Sequence, residues 1–203
     1  MTHRRARIYL VTLCLATGLL VACGSLPKER YYTLSSAASD AGAATKALST
    51  TSIVVGPVSL PDRVDRAQLV VSVGPNRVAI LEQERWAGPL KSEIARVVAE
   101  NLSHELGSAR VSTYPSTTSG DTAYQVVIDV QSFESGLGDA VTIDALWTIR
   151  RSSSTGAKTG RSTVREPAEG VGYDVLVGAH SRALAGMSHE IAQAIRSFDS
   201  APR

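Results

Sequence analysis

Cys23 closes an apolar run in "LLVACGS" (19–25), and a cysteine thiolate is the strongest nucleophile among ordinary side chains. A thiolate attacks where hydroxyls and amines stay inert, so this residue type in this place suits modification at sulfur. Other residue patterns touch on chemistry and fall short. Ser25-Leu26-Pro27-Lys28 matches S-x-x-K, but it adjoins the apolar run, with nothing beside it to form an oxyanion hole. His189-Glu190 lacks the second histidine of a zinc H-E-x-x-H site, because position 193 is Gln. Gly136-Leu137-Gly138 reads as a hairpin turn, since no helix follows to receive a nucleotide phosphate. No G-x-S-x-G is present, and Asp129, Glu134 and Asp144 are scattered carboxylates without a readable pairing. Of the four histidines, His3 precedes the apolar run, while His104 and His189 fall off the apolar stripes of their helices. His180 lies on such a stripe, midway between Leu176 and Leu184. A catalytic histidine needs a partner within hydrogen-bond reach. None is legible, so His180 reads as a satisfied core or interface residue.

The elements around Cys23 give it its meaning. Arg4, Arg5 and Arg7 precede an apolar run, 8–22, and no acidic residue occurs before Glu29. A basic start followed by such a run has the form of a secretory signal peptide, and a bilayer-spanning helix needs about 20 apolar residues. Leu20-Val21-Ala22-Cys23 resembles the bacterial lipobox. That resemblance implies diacylation of the Cys23 sulfur, cleavage before Cys23 and acylation of the new α-amine. Each buried acyl CH₂ contributes about 0.8 kcal/mol, so three chains anchor where one binds only reversibly. Residue 24 is Gly rather than Asp, which by the lipoprotein sorting rule points to the outer membrane. The expected layout is a signal peptide over 1–22, a lipidated N-terminus and flexible tether over 23–52, and one folded domain over 53–199.

Cleavage removes three of the 21 basic residues and none of the 19 acidic ones, so the mature chain is slightly acidic. Nucleic-acid binding loses its electrostatic basis. Cys14 leaves with the signal and Cys23 takes lipid, so no disulfide or thiolate metal site remains. No cofactor is expected beyond the covalent acyl chains. Residues 35–52, "SSAASDAGAATKALSTTS", have a tether's composition. Before them "RYYTL" (30–34) suits either a short docking strand or a contact with lipid headgroups.

Within the domain, 53–55 starts a strand that Gly56-Pro57 breaks, and 68–73 and 77–81 form a hairpin-like pair about Gly74-Pro75-Asn76. From Trp86 the apolar residues Leu90, Ile94, Val97, Val98, Leu102 and Leu106 follow helical spacing, with Pro89 in the first turn and Gly107 at the end. A short strand, 110–113, and a polar loop, 116–122, come next. Tyr124, Val126, Ile128 and Val130 alternate, as do Val141, Ile143, Ala145, Trp147 and Ile149, around a turn at 134–139. A third strand, 161–166, follows the turn at 152–160, and a helix carrying Leu176, Ala183, Leu184, Met187, Ile191, Ile195 and Phe198 closes the domain. The order predicts an α/β domain with a mixed, mostly antiparallel five-stranded sheet and flanking helices.

Three stretches carry a family resemblance: "VGPVSLPDRVDRAQLV" (55–70), "RWAGPLKSEIARVVAENLSHELG" (85–107) and "YDVLVGAHSRALAGMSHEIAQAI" (173–195). Together with "RYYTL" they resemble the ABC-type transport auxiliary lipoproteins found with paraquat-inducible and mammalian-cell-entry (MCE) transport systems. One departure is Arg63-Val64, where the family often has a tyrosine-leucine pair after "LPD". The resemblance implies a sheet-and-helix fold like anticodon-binding domains. It implies a non-enzymatic subunit that is tethered to the outer membrane, faces the periplasm and works with an MCE-domain protein powered by an ABC ATPase. The cargo would be phospholipid or another hydrophobic molecule, and relatives assemble into rings. For such a subunit the loop "SLPDRVDRAQ" (59–68), with Asp62, Arg63, Asp65 and Arg66, suits either a partner interface read by charge or a solvated turn capped locally. Arg85 and Trp86 are of types favoured as interface anchors, though Trp86 also suits core packing at the start of the helical stripe. Two other classes compete: a structural or regulatory envelope lipoprotein that binds peptidoglycan or a wall synthase, and a periplasmic hydrolase using His180.

Overall fold

Alternation of apolar and polar residues builds most of the sheet, and a computed structural model of the chain describes residues 27–37, 51–107, 110–115, 123–152 and 156–200. The signal peptide and Cys23 lie outside the described residues, as do most of the expected tether and the 116–122 loop. Among the described residues the elements run β1 (Arg30–Tyr32), β2 (Ser52–Ser59), β3 (Gln68–Gly74), β4 (Arg77–Trp86), α1 (Leu90–Leu106), β5 (Arg110–Thr113), β6 (Tyr124–Ser135), β7 (Ala140–Arg151), β8 (Ala157–Pro167) and α2 (Tyr173–Asp199).

The strands form a five-stranded sheet in the order β5-β2-β6-β7-β8 and a three-stranded sheet in the order β1-β4-β3. In the larger sheet β2 pairs in parallel with β5 and β6, while the long β6, β7 and β8 pair antiparallel. Both helices pack on the larger sheet and on each other, α1 over β2 and β5, α2 over β7 and β8. Tyr124, Val126, Ile128 and Val130 of β6 point into this core, as do Val141, Ile143, Ala145, Trp147 and Ile149 of β7. Period-2 alternation with one buried face is what an antiparallel strand under a helical layer requires. The layered α/β architecture expected from element order is thus present, with the three-stranded sheet added beside it.

Several boundaries differ from those read off the sequence: β8 begins at Ala157, inside the stretch 152–160 read as a turn, and β6 runs on to Ser135, into the turn read at 134–139. Gly56-Pro57 does not end β2, which continues to Ser59 through a register shift between Val55 and Val58. Gly56 makes the shift possible: its φ of 118° is open to glycine, and a Cβ there would meet Tyr114 Cβ at 3.1 Å. Trp86 belongs to the end of β4 rather than to the helix, which starts at Leu90 behind Pro89. Its burial is core packing carried by a strand.

Gly160 on β8 is packed too closely for any side chain. It sits opposite Trp147, whose indole crosses it so closely that a Cβ would lie 2.2 Å from a ring carbon. The indole N–H donates to Ser162 Oγ at 2.9 Å, which satisfies its one polar atom inside the core.

Candidate functional site: the N-terminal clamp and the hairpin pole

The segment directly behind Cys23 is stitched into the domain. Tyr32 and Leu34 are buried, and β1 pairs in parallel with the end of β4, Arg30 opposite Glu84 and Tyr32 opposite Trp86. Glu84 is almost wholly enclosed and has two partners on β1. Arg30 grips both its oxygens, with Nε at 2.9 and 3.0 Å, and the Tyr32 hydroxyl donates to it at 2.6 Å. Burial alone would raise the Glu84 carboxyl, but these partners outweigh it and hold the group below the usual carboxylate range. Burial first, then the Glu84 hydrogen bond, pushes Tyr32 up to about 12.

The chain then crosses both helices. Thr33 donates to Glu93 at 2.7 Å, and Arg96 donates to the Leu34 carbonyl at 2.6 Å. The Ser35 and Ala37 amides donate to Ser181 Oγ at 3.1 Å and Asn101 Oδ1 at 3.0 Å. "RYYTL" is therefore a docked strand and the first part of a strap, with Tyr31 left exposed. The composition-flagged segment, 35–52, thus begins inside the strap, with Ser35 and Ala37 held by the helices, and its last residue, Ser52, opens β2.

One pole of the molecule collects several loops. A parallel bridge joins Ser72 of β3 to Gly136, just after β6, so β3 and β6 end at the same level. The β3–β4 tip, Gly74-Pro75-Asn76, and the β6–β7 turn therefore share that end. Pro167 of β8 pairs with Ala140, and the Ala168 amide donates to the Asp139 carbonyl at 2.9 Å, which brings the loop before α2 to the same level. Val73, Val78 and Leu137 are exposed at this pole, and the fully exposed Val171 follows three residues after Ala168.

Below the tip a groove of about 520 Å³ opens, lined by Arg63, Val64, Val70, Val78, Phe133 and Ser135. Ser135 at its inner wall lies 2.8 Å from His180 Nε2. This is the hydrogen-bond partner that the sequence did not disclose, and a serine–histidine pair invites comparison with a hydrolase dyad. Its surroundings argue for packing. The imidazole stacks on Phe133 with centroids 4.0 Å apart and meets Trp86 edge-on at 6.4 Å. Its Nδ1 has no hydrogen-bond partner, so nothing fixes a tautomer or stabilises an imidazolium as a triad acid would. Burial drives its pKa down to about 3, which makes it a feeble base at neutral pH.

The charged loop after β2 lies on the shoulder beneath the pole. Arg63 reaches Glu134 at 3.7 Å and Asp65 meets Lys91 at 2.6 Å, while Asp62 and Arg66 are exposed. Local backbone bonds from Val64 and Asp65 to the Pro61 carbonyl close its turn. Arg85 is half-buried and pairs with Glu29 at 3.2 Å, and Trp86 is buried against Phe133 and His180. Of the six residues singled out as partner-binding, four thus form one shoulder loop, while Arg85 and Trp86 sit beside the clamp.

His104 is exposed, and exposed His189 contacts Glu105 at 3.0 Å and Gln193 at 2.7 Å. Asp144 pairs across strands with Arg161 and Thr163. The Arg161 hydrogen bond holds its carboxyl below the usual range. Among the described residues no cluster of three or more His, Cys, Asp or Glu is placed to hold a metal, and no helix is long and apolar enough to cross a membrane.

A helix-covered mixed sheet, an accessory sheet closed by the N-terminal strand, and a looped pole define a class of compact α/β module. The chain belongs to the family of ABC-type transport auxiliary lipoprotein components, whose model matches residues 32–192. It is similar in fold to an uncharacterized protein of known crystal structure, with TM-score 0.67 at 20% identity, over 83% of this chain and 99% of that one. Protein XCC0632 from Xanthomonas campestris, of the DUF330 family, is similar with TM-score 0.64 at 18% identity, over 83% and 99%. No curated protein sequence matches this chain significantly.

Proposed function

We propose that this auxiliary transport lipoprotein is anchored in the outer membrane through acylated Cys23, faces the periplasm, and serves an MCE-type ABC system that moves lipid or another hydrophobic molecule between membranes. The family match over 32–192 carries the reading. Three features of the chain support it. The lipobox-like Leu20-Val21-Ala22-Cys23 supplies the anchor. The β1 strap ties the domain to the chain just behind that anchor, as a docking subunit needs. The Ser135–His180 pair is built as packing, in keeping with a non-enzymatic role. The shoulder loop, with Asp62 and Arg66 exposed beside the locally paired Arg63 and Asp65, is the surface we assign to the MCE-domain protein; charge patterns of this kind select partners more than they add affinity.

A photo-crosslinking amino acid at position 62 or 66, in cells expressing the tagged lipoprotein, tests both halves. Capture of an MCE-domain protein from those positions, with the bait in the outer-membrane fraction, is the expected result. Capture of a wall synthase or of peptidoglycan fragments instead would move the protein to the structural class of envelope lipoproteins.

A further inference from the structure

β1 runs parallel to β4, so the chain enters β1 from the side where β4 begins, which is the β3–β4 tip. Arg30 lies opposite Glu84, seven residues along β4 from Arg77. Cys23 precedes Arg30 by the same number of residues, and an extended chain advances about 3.3–3.6 Å per residue. The linker over residues 24–29 is thus long enough to bring Cys23 level with the hairpin tip and too short to carry it far beyond. A Cys23 anchor at the pole of the tip therefore lies within the reach of the chain.

That pole also holds the exposed apolar side chains. Val73 and Val78 flank the tip, Ile80 follows on β4, Leu137 crowns the β6–β7 turn and Val171 stands in the loop before α2. They project from three separate connections that the strand pairings bring to one level. Charges there are mixed in sign and partly paired, Arg63 with Glu134 and Arg165 with Asp139, so the pole has no strong electrostatic preference.

We propose that this pole is a membrane-contacting face, on which Val73, Leu137 and Val171 enter the interfacial region of the bilayer that holds the Cys23 acyl chains. The inference rests on the lipidation read from the sequence and goes beyond the transport role. A short linker holds the pole at the surface, so even a weak intrinsic affinity is effective, because the local concentration is already high. Apolar insertion with mixed charge makes the contact insensitive to salt, unlike a polybasic one.

The test uses the full mature lipoprotein reconstituted in vesicles of phosphatidylethanolamine and phosphatidylglycerol. Cys23 is blocked by acylation, so Val73→Cys, Leu137→Cys and Val171→Cys each give one site for an environment-sensitive dye. Leu146→Cys, an exposed apolar position six residues along β7 from the turn, is the control. The three pole labels are expected to be quenched several-fold more than the control by lipids brominated on their acyl chains, at low and high salt alike. Labels at all three positions as aqueous as the control, on protein that floats with the vesicles, would overturn the membrane face while leaving the anchor intact. Failure of the purified natural protein to float with vesicles would overturn the lipoprotein reading itself, and the membrane face with it.

Discussion

At the scale of single residues, two buried groups make sharp predictions. His180 is neutral in the fold, and burial sets its pKa at about 3 against about 6.5 in an unfolded chain. As pH falls below 6.5 the unfolded chain takes up a proton that the folded one refuses. The stabilising difference is full above pH 6.5 and is lost as pH falls toward 3, at up to about 1.4 kcal/mol per pH unit. Urea unfolding at stepped pH should show that slope in the natural chain and a flatter one in His180→Gln. An unchanged slope would mean that the imidazole is hydrated or paired. Gly160 gives the second. Any Cβ there strikes the Trp147 ring, so Gly160→Ala forces the indole from its Ser162 bond. Overpacking of this kind costs about 1–3 kcal/mol, visible as a lowered melting temperature and an altered tryptophan emission. Neither contact was legible beforehand: His180 was placed on a buried stripe by spacing alone, but its serine lies 45 residues away in sequence.

Elements explain why some residues stayed hidden. Alternation along 124–130 marks β6 correctly, yet it would send Ser132 and Glu134 inward. A register shift between Val130 and Ser132 inserts one residue and turns Phe133 and Ser135 to the core instead. The same device acts on β4. Gln68 opposes Arg85 while Leu69 opposes Leu81, and across that irregularity the inward phase changes from Ala79 and Leu81 to Glu84 and Trp86. A bulge leaves no local composition signal, so a carboxylate that looks solvent-facing becomes the keystone of the N-terminal clamp. The helices were the most legible elements, because 3.6-residue periodicity tolerates no such slip, and the buried face of α2 is the one its spacing gives. The clamp makes its own prediction. Glu84→Ala removes the acceptor shared by Arg30 and Tyr32 of β1 and leaves the Tyr32 hydroxyl enclosed without an acceptor, a loss of about 1–3 kcal/mol. Hydrogen exchange should quicken at the Ala87 amide, which bonds the Tyr32 carbonyl, before it quickens in β6 or β7. Uniform acceleration across the sheet would mean that β1 is part of the global folding unit rather than a separately opening strap.

At the scale of the whole molecule, the strap decides how far the domain would stand from a membrane that holds the proposed Cys23 anchor. Composition alone suggested a long tether over 23–52, but a chain is free only up to the first residue that the fold holds. Here the first residue paired in the sheet is Arg30, just after Glu29 meets Arg85, and residues 30–37 are fixed by Glu84, Glu93, Arg96, Asn101 and Ser181. The reach from Cys23 is therefore about 25 Å at full extension, set by residues 24–29, and the Ala- and Ser-rich stretch that follows connects β1 to β2 without affecting it. Two insertions of the same flexible Gly-Ser segment separate these roles. Placed between Pro27 and Lys28, the insertion should lengthen the separation between a dye at position 146 and acceptor dyes in the vesicle surface, read as weaker energy transfer. Placed between Ala43 and Ala44, it should leave that transfer unchanged, since β1 still docks upstream of it. Weaker transfer from both insertions would show that β1 releases at the membrane and that the longer tether operates there. In cells, a docking subunit that must meet a partner at a fixed height should lose function with the first insertion and keep it with the second, measured as resistance to detergent.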